Sequence, residues 1–318
     1  MLAKMHAILK GRGRKFQIRR MFESLRLSPT EWAMLTWAEM IESYEDVPDI
    51  YKSFFKPLLA NGQAFPYTVL TPAFSTSLYQ ITEKLVCTFD HAVHILEGDG
   101  NTWVEQCYPF DGISHVMMKT VWLESRIKIS GMTKQGIPAS SIMRFNMATD
   151  FLLTPIIREI RLNAVDATNV VRNSELEKFD LWDLSNYKFM NFARHSLLGV
   201  EKVIYAMLQP EIRASGFNFF GVTFSRTVSP AHAVILSDRE MIMIQEEVVG
   251  RDDVKYGVTW DYIPLNKITG LSFSRKDDNL LILFLQLPEN EHLEYPFQIS
   301  MRGEIDLLLK RFRELKCS

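Results

Sequence analysis

The sequence is poor in the features that most quickly characterise a protein. Three cysteines, Cys87, Cys107 and Cys317, are spread over 318 residues, too few and too scattered for a disulfide framework. The longest strongly apolar run, Leu280 to Leu285, falls far short of the about 20 residues that cross a bilayer. The N-terminus carries charge but no apolar run followed by a small-residue cleavage site, so export is not expected. No sign of charge dominates: 36 basic side chains face 38 acidic ones, a net of −2, which excludes a surface given over wholly to nucleic acid or an acidic polymer. Catalytic signatures are also missing. There is no Gly-x-Ser-x-Gly, no Gly-rich phosphate loop and no His-Glu-x-x-His. The expectation is a cytoplasmic protein with no cofactor, long enough for two domains.

What the sequence does have is a repeat. Leu85 to Ile95 reads as two short apolar strands turning at Asp90, and Ala233 to Met243 has the same layout with Asp238 in that place. Tyr108-Pro109 and the following residues to Ile113 match Ile263-Pro264 to Ile268, the offset growing from 148 to 155 residues because the intervening hairpin is longer in the second copy. Val121 to Ile129 then corresponds to Asn279 to Leu285, and Ser141 to Phe145 to Tyr295 to Ile299. Each copy closes with a helix-period segment, Asp150 to Ile160 and Glu304 to Leu315. In the second, Ile305, Leu308, Leu309, Phe312 and Leu315 make one apolar face. Pro155 sits in the first turn or so of the first, where a missing N–H is tolerated.

Around the copies the pattern is helical. Ser28-Pro29-Thr30-Glu31 is a helix start with a capping box, and Trp32 to Tyr44 follows at mixed helical spacing. Asn163 to Asn186 is polar and charged and reads as a linker, its end from Phe179 to Leu184 docking on a module through apolar residues. The expected organisation is a basic arm over 1–27, a helical segment over 28–64, a first module over 65–162, a partly helical linker over 163–195 and a second module over 196–318.

Three stretches of the second half, Leu197 to Ile204, Ala233 to Ile244 and Ile263-Pro264 to Ile268, carry wording that resembles the bacterial pleckstrin-homology-like superfamily. Leu197 to Ile204 is similar to the "LLPGEKVI" opening of those domains, with Gly199-Val200 where Pro-Gly is usual. Ala233 to Ile244 resembles their second hairpin, and Ile263-Pro264 to Ile268 the strand after it. The likeness covers about 196–316, and reaches 65–162 only through the repeat. It implies an α+β, mainly β fold: two tandem barrels of antiparallel strands, each closed by a C-terminal helix. It also implies a binding scaffold rather than an enzyme, since such barrels commonly recognise proteins or lipid headgroups and fold alone does not fix which.

Candidate chemistry is sparse. His91 and His94 lie three apart, which on a strand sends them to opposite faces and defeats chelation unless a turn intervenes. Cys87 and Cys107 read as buried thiols. An enzymatic alternative needs Cys107, His115 and a carboxylate in one pocket. Asp252-Asp253 and Asp277-Asp278 read as solvated hairpin tips, and Phe217, Phe219, Phe220, Phe224, Met241 and Met243 as core. The one unusual charge feature is the arm. Residues 1–20 hold Lys4, Lys10, Arg12, Arg14, Lys15, Arg19 and Arg20 with no acid, leaving a net −9 for the rest. Lys10, Arg12, Arg14, Lys15, Arg19 and Arg20 are the candidate binding residues, for anionic membrane at about 1 kcal/mol per basic residue. A solvated tail, or a start at Met21, is the plain alternative. Nucleic acid is not expected as a partner. The leading expectation is a non-catalytic protein that binds a protein partner or itself, with a membrane-peripheral alternative.

Overall fold

Both copies run through one order of elements. The computed structural model describes residues 34–75, 80–164, 174–199, 201–219, 222–249 and 254–317. A short strand β1 (Glu39–Ile41) and helix α1 (Lys52–Ala60) come first. The first copy is β2 (Thr68–Thr71), a small hairpin of β3 (Phe74–Ser75) and β4 (Gln80–Ile81), then β5 (Glu83–Phe89), β6 (Ala92–Gly98) and β7 (Trp103–Pro109). It continues with a 3-10 turn, β8 (Ile113–Val121), β9 (Glu124–Met132), β10 (Pro138–Asn146) and helix α2 (Thr154–Ala164). Helix α3 (Asp183–Ser196), kinked at Asn186, leads to the second copy. That copy is β11 (Val203–Gln209), the hairpin β12 (Ile212–Phe219) and β13 (Val222–Ser229), then β14 (His232–Ser237), β15 (Glu240–Val249) and β16 (Val254–Pro264). After a 3-10 turn come β17 (Gly270–Arg275), β18 (Leu280–Gln286), β19 (His292–Gln298) and helix α4 (Arg302–Cys317).

Register carries the repeat down to single residues. Thr88 pairs with Val93 as Leu236 pairs with Met241, and Val93 with Tyr108 as Met241 with Ile263. Pro109 and Pro264 enter their 3-10 turns at nearly the same backbone angles, φ −55°, ψ 141° and φ −57°, ψ 135°. In the last strand the expected match is two residues out. Ile127 pairs with Met143 and Leu283 with Tyr295, so Phe145 answers to Phe297 rather than to Ile299. An even shift keeps every side chain on its face, so the hydrophobic pattern alone does not detect it.

Mainly antiparallel sheets with a C-terminal helix are what the structure contains, but the sheets are not closed into barrels. The first copy contributes a sheet in the order β1-β2-β5-β6-β7, and the second a separate three-stranded sheet β17-β18-β19. Between them the strands of the two copies merge into one seven-stranded sheet, β10-β9-β8-β16-β15-β14-β11. The seam is an antiparallel ladder of β16 on β8, running from Gly257 opposite Val121 to Tyr262 opposite Val116. One hydrophobic core spans it, with Val116, Ile127 and Phe145 from the first copy and Ile235, Ile244, Val258 and Tyr262 from the second. Gly257 is required there, because a Cβ would lie 2.6 Å from the Thr120 carbonyl oxygen.

A helix ahead of each copy covers the outer face of its first sheet. Phe55 and Tyr51 at α1 are buried against Leu85, Cys87 and Leu96, and α3 packs on β14 and β15. Coverage on both faces explains why β14 is buried at every residue and reads as continuous apolar sequence. Phe54 meets Trp103 edge-on at 5.8 Å, and Phe192 meets Trp260 in the same way at 5.4 Å. Glu39–Ile41 departs from the expected helical segment. It pairs with β2 and buries Ile41, because the outer edge of that sheet offers unpaired backbone groups that a helix would leave unmet. At the end of the linker Phe179 is fully buried and Trp182 packs on the same core, whereas Leu181, expected to dock with them, is 86% exposed. Ile305, Leu308, Leu309 and Phe312 are the buried face of α4.

Candidate functional site

The basic arm, with Lys10, Arg12, Arg14, Lys15, Arg19 and Arg20, lies outside the described residues, as do the Ser28 helix start and Asp252-Asp253. Three polar clusters remain as candidates, together with the two sheet edges, β7 and β17, that the repeat relates to the seam strands.

The first cluster lies on the outer face of β5, β6 and β7. Register sets Cys87, His94 and Cys107 side by side across three strands. His94 Nδ1 lies 2.7 Å from Glu105 Oε1, and ligand atoms of His94, Glu105 and Cys107 all fall within 4.8 Å of one another. Such a trio could hold a metal ion. It is the histidine of the neighbouring strand, not His115, that meets Cys107, and His91 sits in the turn at φ 55° without joining it. The setting is poor for nucleophilic chemistry. Phe89 stacks on the His94 ring at 3.9 Å, and burial, with Glu105 nearby, pushes both thiols up from their ordinary range. Native alkylation is therefore expected to label exposed Cys317 and to reach Cys87 and Cys107 only on unfolding, as intact mass would show. Rapid labelling of Cys107 would contradict this.

The second cluster crosses the seam. His115 Nε2 on β8 lies 2.8 Å from Asp261 Oδ1 on β16, and the Tyr295 hydroxyl donates to Asp261 Oδ2 at 3.0 Å. All three are buried, out of reach of a substrate.

The third cluster locks α2 to the second copy. Arg161 donates through Nε to Glu240 at 3.0 Å and through Nη2 to the Ser196 carbonyl at 2.7 Å, and its guanidinium lies 3.8 Å over the Tyr262 ring. Glu201 is 3.6 Å away, accepting from the Leu198 amide and the Ser237 hydroxyl, both at 2.7 Å. Burial works against charge on Arg161, but Glu240, Tyr262 and Glu201 outweigh it and hold the guanidinium protonated. Burial and the Glu240 carboxylate push Glu201 from 4.5 up to about 8.

Elsewhere in the second copy, burial lowers His232 from 6.5 to about 4. These two shifts act oppositely on stability. Folded Glu201 keeps its proton between 4.5 and 8 while the unfolded chain releases it, so stability falls with pH by about 1.4 kcal/mol per unit. Folded His232 refuses the proton that the unfolded chain binds between 4 and 6.5, so stability rises there with the same slope. Their sum is flat between about pH 4.5 and 6.5 and falls by about 2 kcal/mol from there to pH 8. Urea unfolding of Glu201→Gln against wild type is expected to remove the upper fall. An unchanged slope would show that Glu201 does not hold the proton.

The edges are simpler. Among the described residues β7 pairs only with β6, and β17 only with β18. A cleft of about 320 Å³ runs beside β7, lined by Thr102, Trp103, Val104 and Gln106 with Glu97 and Thr82. A second, of about 300 Å³, lies over Arg161 and Tyr262. Neither is lined by Cys107 or His115, so the pocket that the enzymatic alternative needs is not formed by these two. No helix among the described residues is long and apolar enough to cross a membrane. No family model and no curated protein matches the chain. Sequence reasoning missed the seam, the His115–Asp261 pair and the Arg161 cluster. The only sequence signal for the last two was charged or polar residues inside apolar strands and helices.

Proposed function

We propose that the chain is a non-catalytic scaffold of two pleckstrin-homology-like modules that binds protein through the edges of its sheets. One observation carries the reading: the two copies are joined by strand-edge pairing, β8 on β16, while β7 and β17 stay open among the described residues. Edge pairing supplies affinity through main-chain hydrogen bonds and specificity through alternate side chains. The cleft along β7 gives such a strand side-chain room. The shared order of strands with a closing helix supports the modular part of the reading.

A photo-cross-linking residue placed at Val104 or Ser274, with exposed Leu181 as control, tests it in cells that make the full chain. Protein adducts from the edge positions and not from Leu181 are expected. No adduct from either edge, or equal adducts from Leu181, would overturn it.

The charge asymmetry of residues 1–20 favours a second reading, peripheral binding to anionic lipid through Lys10, Arg12, Arg14, Lys15, Arg19 and Arg20. It predicts that the full chain sediments with anionic vesicles at low salt, less at physiological salt, and not after residues 1–20 are deleted. Equal sedimentation of the truncated chain would remove the arm from the account.

A further inference from the structure

We infer that the chain assembles head to tail, with β17 of one copy adding to β7 of the next in the register of the internal seam. The inference rests on the scaffold reading and names its occupant, a second copy of this chain. Within the chain, the first copy presents β8 and the second accepts it on β16. The repeat makes β17 the counterpart of β8 and β7 the counterpart of β16. Among the described residues one strand of each kind is therefore left unused, and these are complementary in the sense that β8 and β16 already are. An interface of this kind joins unlike surfaces, so its product grows into rings or filaments rather than stopping at a two-fold dimer.

The register follows from the offset of 155 residues at Pro109 and Pro264. Thr259 opposite Lys119 and Trp260 opposite Met118 become Val104 opposite Ser274 and Glu105 opposite Phe273. On either side fall Trp103 with Arg275 and Gln106 with Ser272. The ladder stops at Cys107, whose carbonyl already accepts the Lys134 amide at 2.9 Å. Exposure reports the difference between a joined edge and an open one. Thr259 in the seam is 6% exposed, whereas its counterpart Val104 is 67% exposed. Ser272, Ser274 and Arg275 are also exposed. Across the new ladder Arg275 would face Trp103 and lie diagonal to Glu105, a cation beside a ring and a carboxylate. The helices do not forbid it. α1 covers the first sheet as α3 covers the second, and α3 leaves β16 free to take β8.

Cysteines placed opposite one another test the register. Val104→Cys and Ser274→Cys are made in separate chains, each with Cys317→Ser, and mixed under mild oxidation, since directly opposed antiparallel residues have Cα atoms about 4.5–5.5 Å apart. The mixture is expected to give several-fold more covalent dimer than either chain alone. One chain carrying both substitutions is expected to give a ladder of multiples of 36.9 kDa. Wild-type chain should show a sedimentation mass that rises with concentration. No preferential cross-link in the mixture, or a Val104→Cys homodimer that forms as readily, would overturn the inference. The photo-cross-links separate the two claims: an adduct of a different protein at Val104 keeps the scaffold and rejects the second copy, whereas no edge adduct rejects both.

Discussion

Replacing Arg161 with methionine is expected to cost about 3–5 kcal/mol of folding free energy at neutral pH. Arg161 is the cation that faces both Glu240 and Glu201, which are 1% and 0% exposed at the side chain. Methionine fills much of the volume but leaves two carboxyls beside each other without a counter-charge, and leaves the Ser196 carbonyl without its donor. Replacing Glu240 with leucine in the same chain should recover most of the loss, since removing a buried pair together costs far less than removing one partner. Urea unfolding of the single and double variants measures both effects. A single-variant loss below about 1 kcal/mol would mean that water reaches the cluster and that α2 is held to the second copy by packing alone.

The parts of the fold that were legible in the sequence are those written by local periodicity. Leu85 to Ile95 and Ala233 to Met243 turn where the Asp90 and Asp238 positions imply, and α4 buries the face that its spacing marks. A strand's neighbour is a different kind of information. The residues of β8 and β16 announce apolar strands, but nothing local says that Met118 will lie beside Trp260 rather than along the edge of its own copy. The same holds for His115 and Asp261, brought together across 146 residues. Closeness in sequence makes His115 a candidate partner for Cys107. The bulge between Ile113 and His115 and the seam direct it into the other half instead. Glu39–Ile41 shows the limit from the other side, since the helical spacing of its neighbours yields to an edge that needs pairing.

Asp261→Ala is expected to cost about 3 kcal/mol, whereas Gln106→Ala, at the corresponding place on β7, costs at least about 1.5 kcal/mol less. The two residues occupy the same repeated position and both accept from neighbouring side chains. Asp261 takes the His115 ring N–H and the Tyr295 hydroxyl, and Gln106 Oε1 takes the hydroxyls of Tyr108, at 2.9 Å, and Ser141. What differs is the edge. Asp261 is sealed under the seam at 7% exposure, so alanine there strands two donors where water cannot replace the carboxylate. Gln106 lines the open cleft, so water can take up the donors that it releases. Unfolding of the two variants side by side, in dilute chain, therefore measures what joining an edge adds at a fixed position of the repeat. Equal losses would mean that the seam excludes no more water than the open edge does. At concentrations where the chains associate, the same comparison should narrow, because a second copy's β17 would then seal Gln106 as β8 seals Asp261.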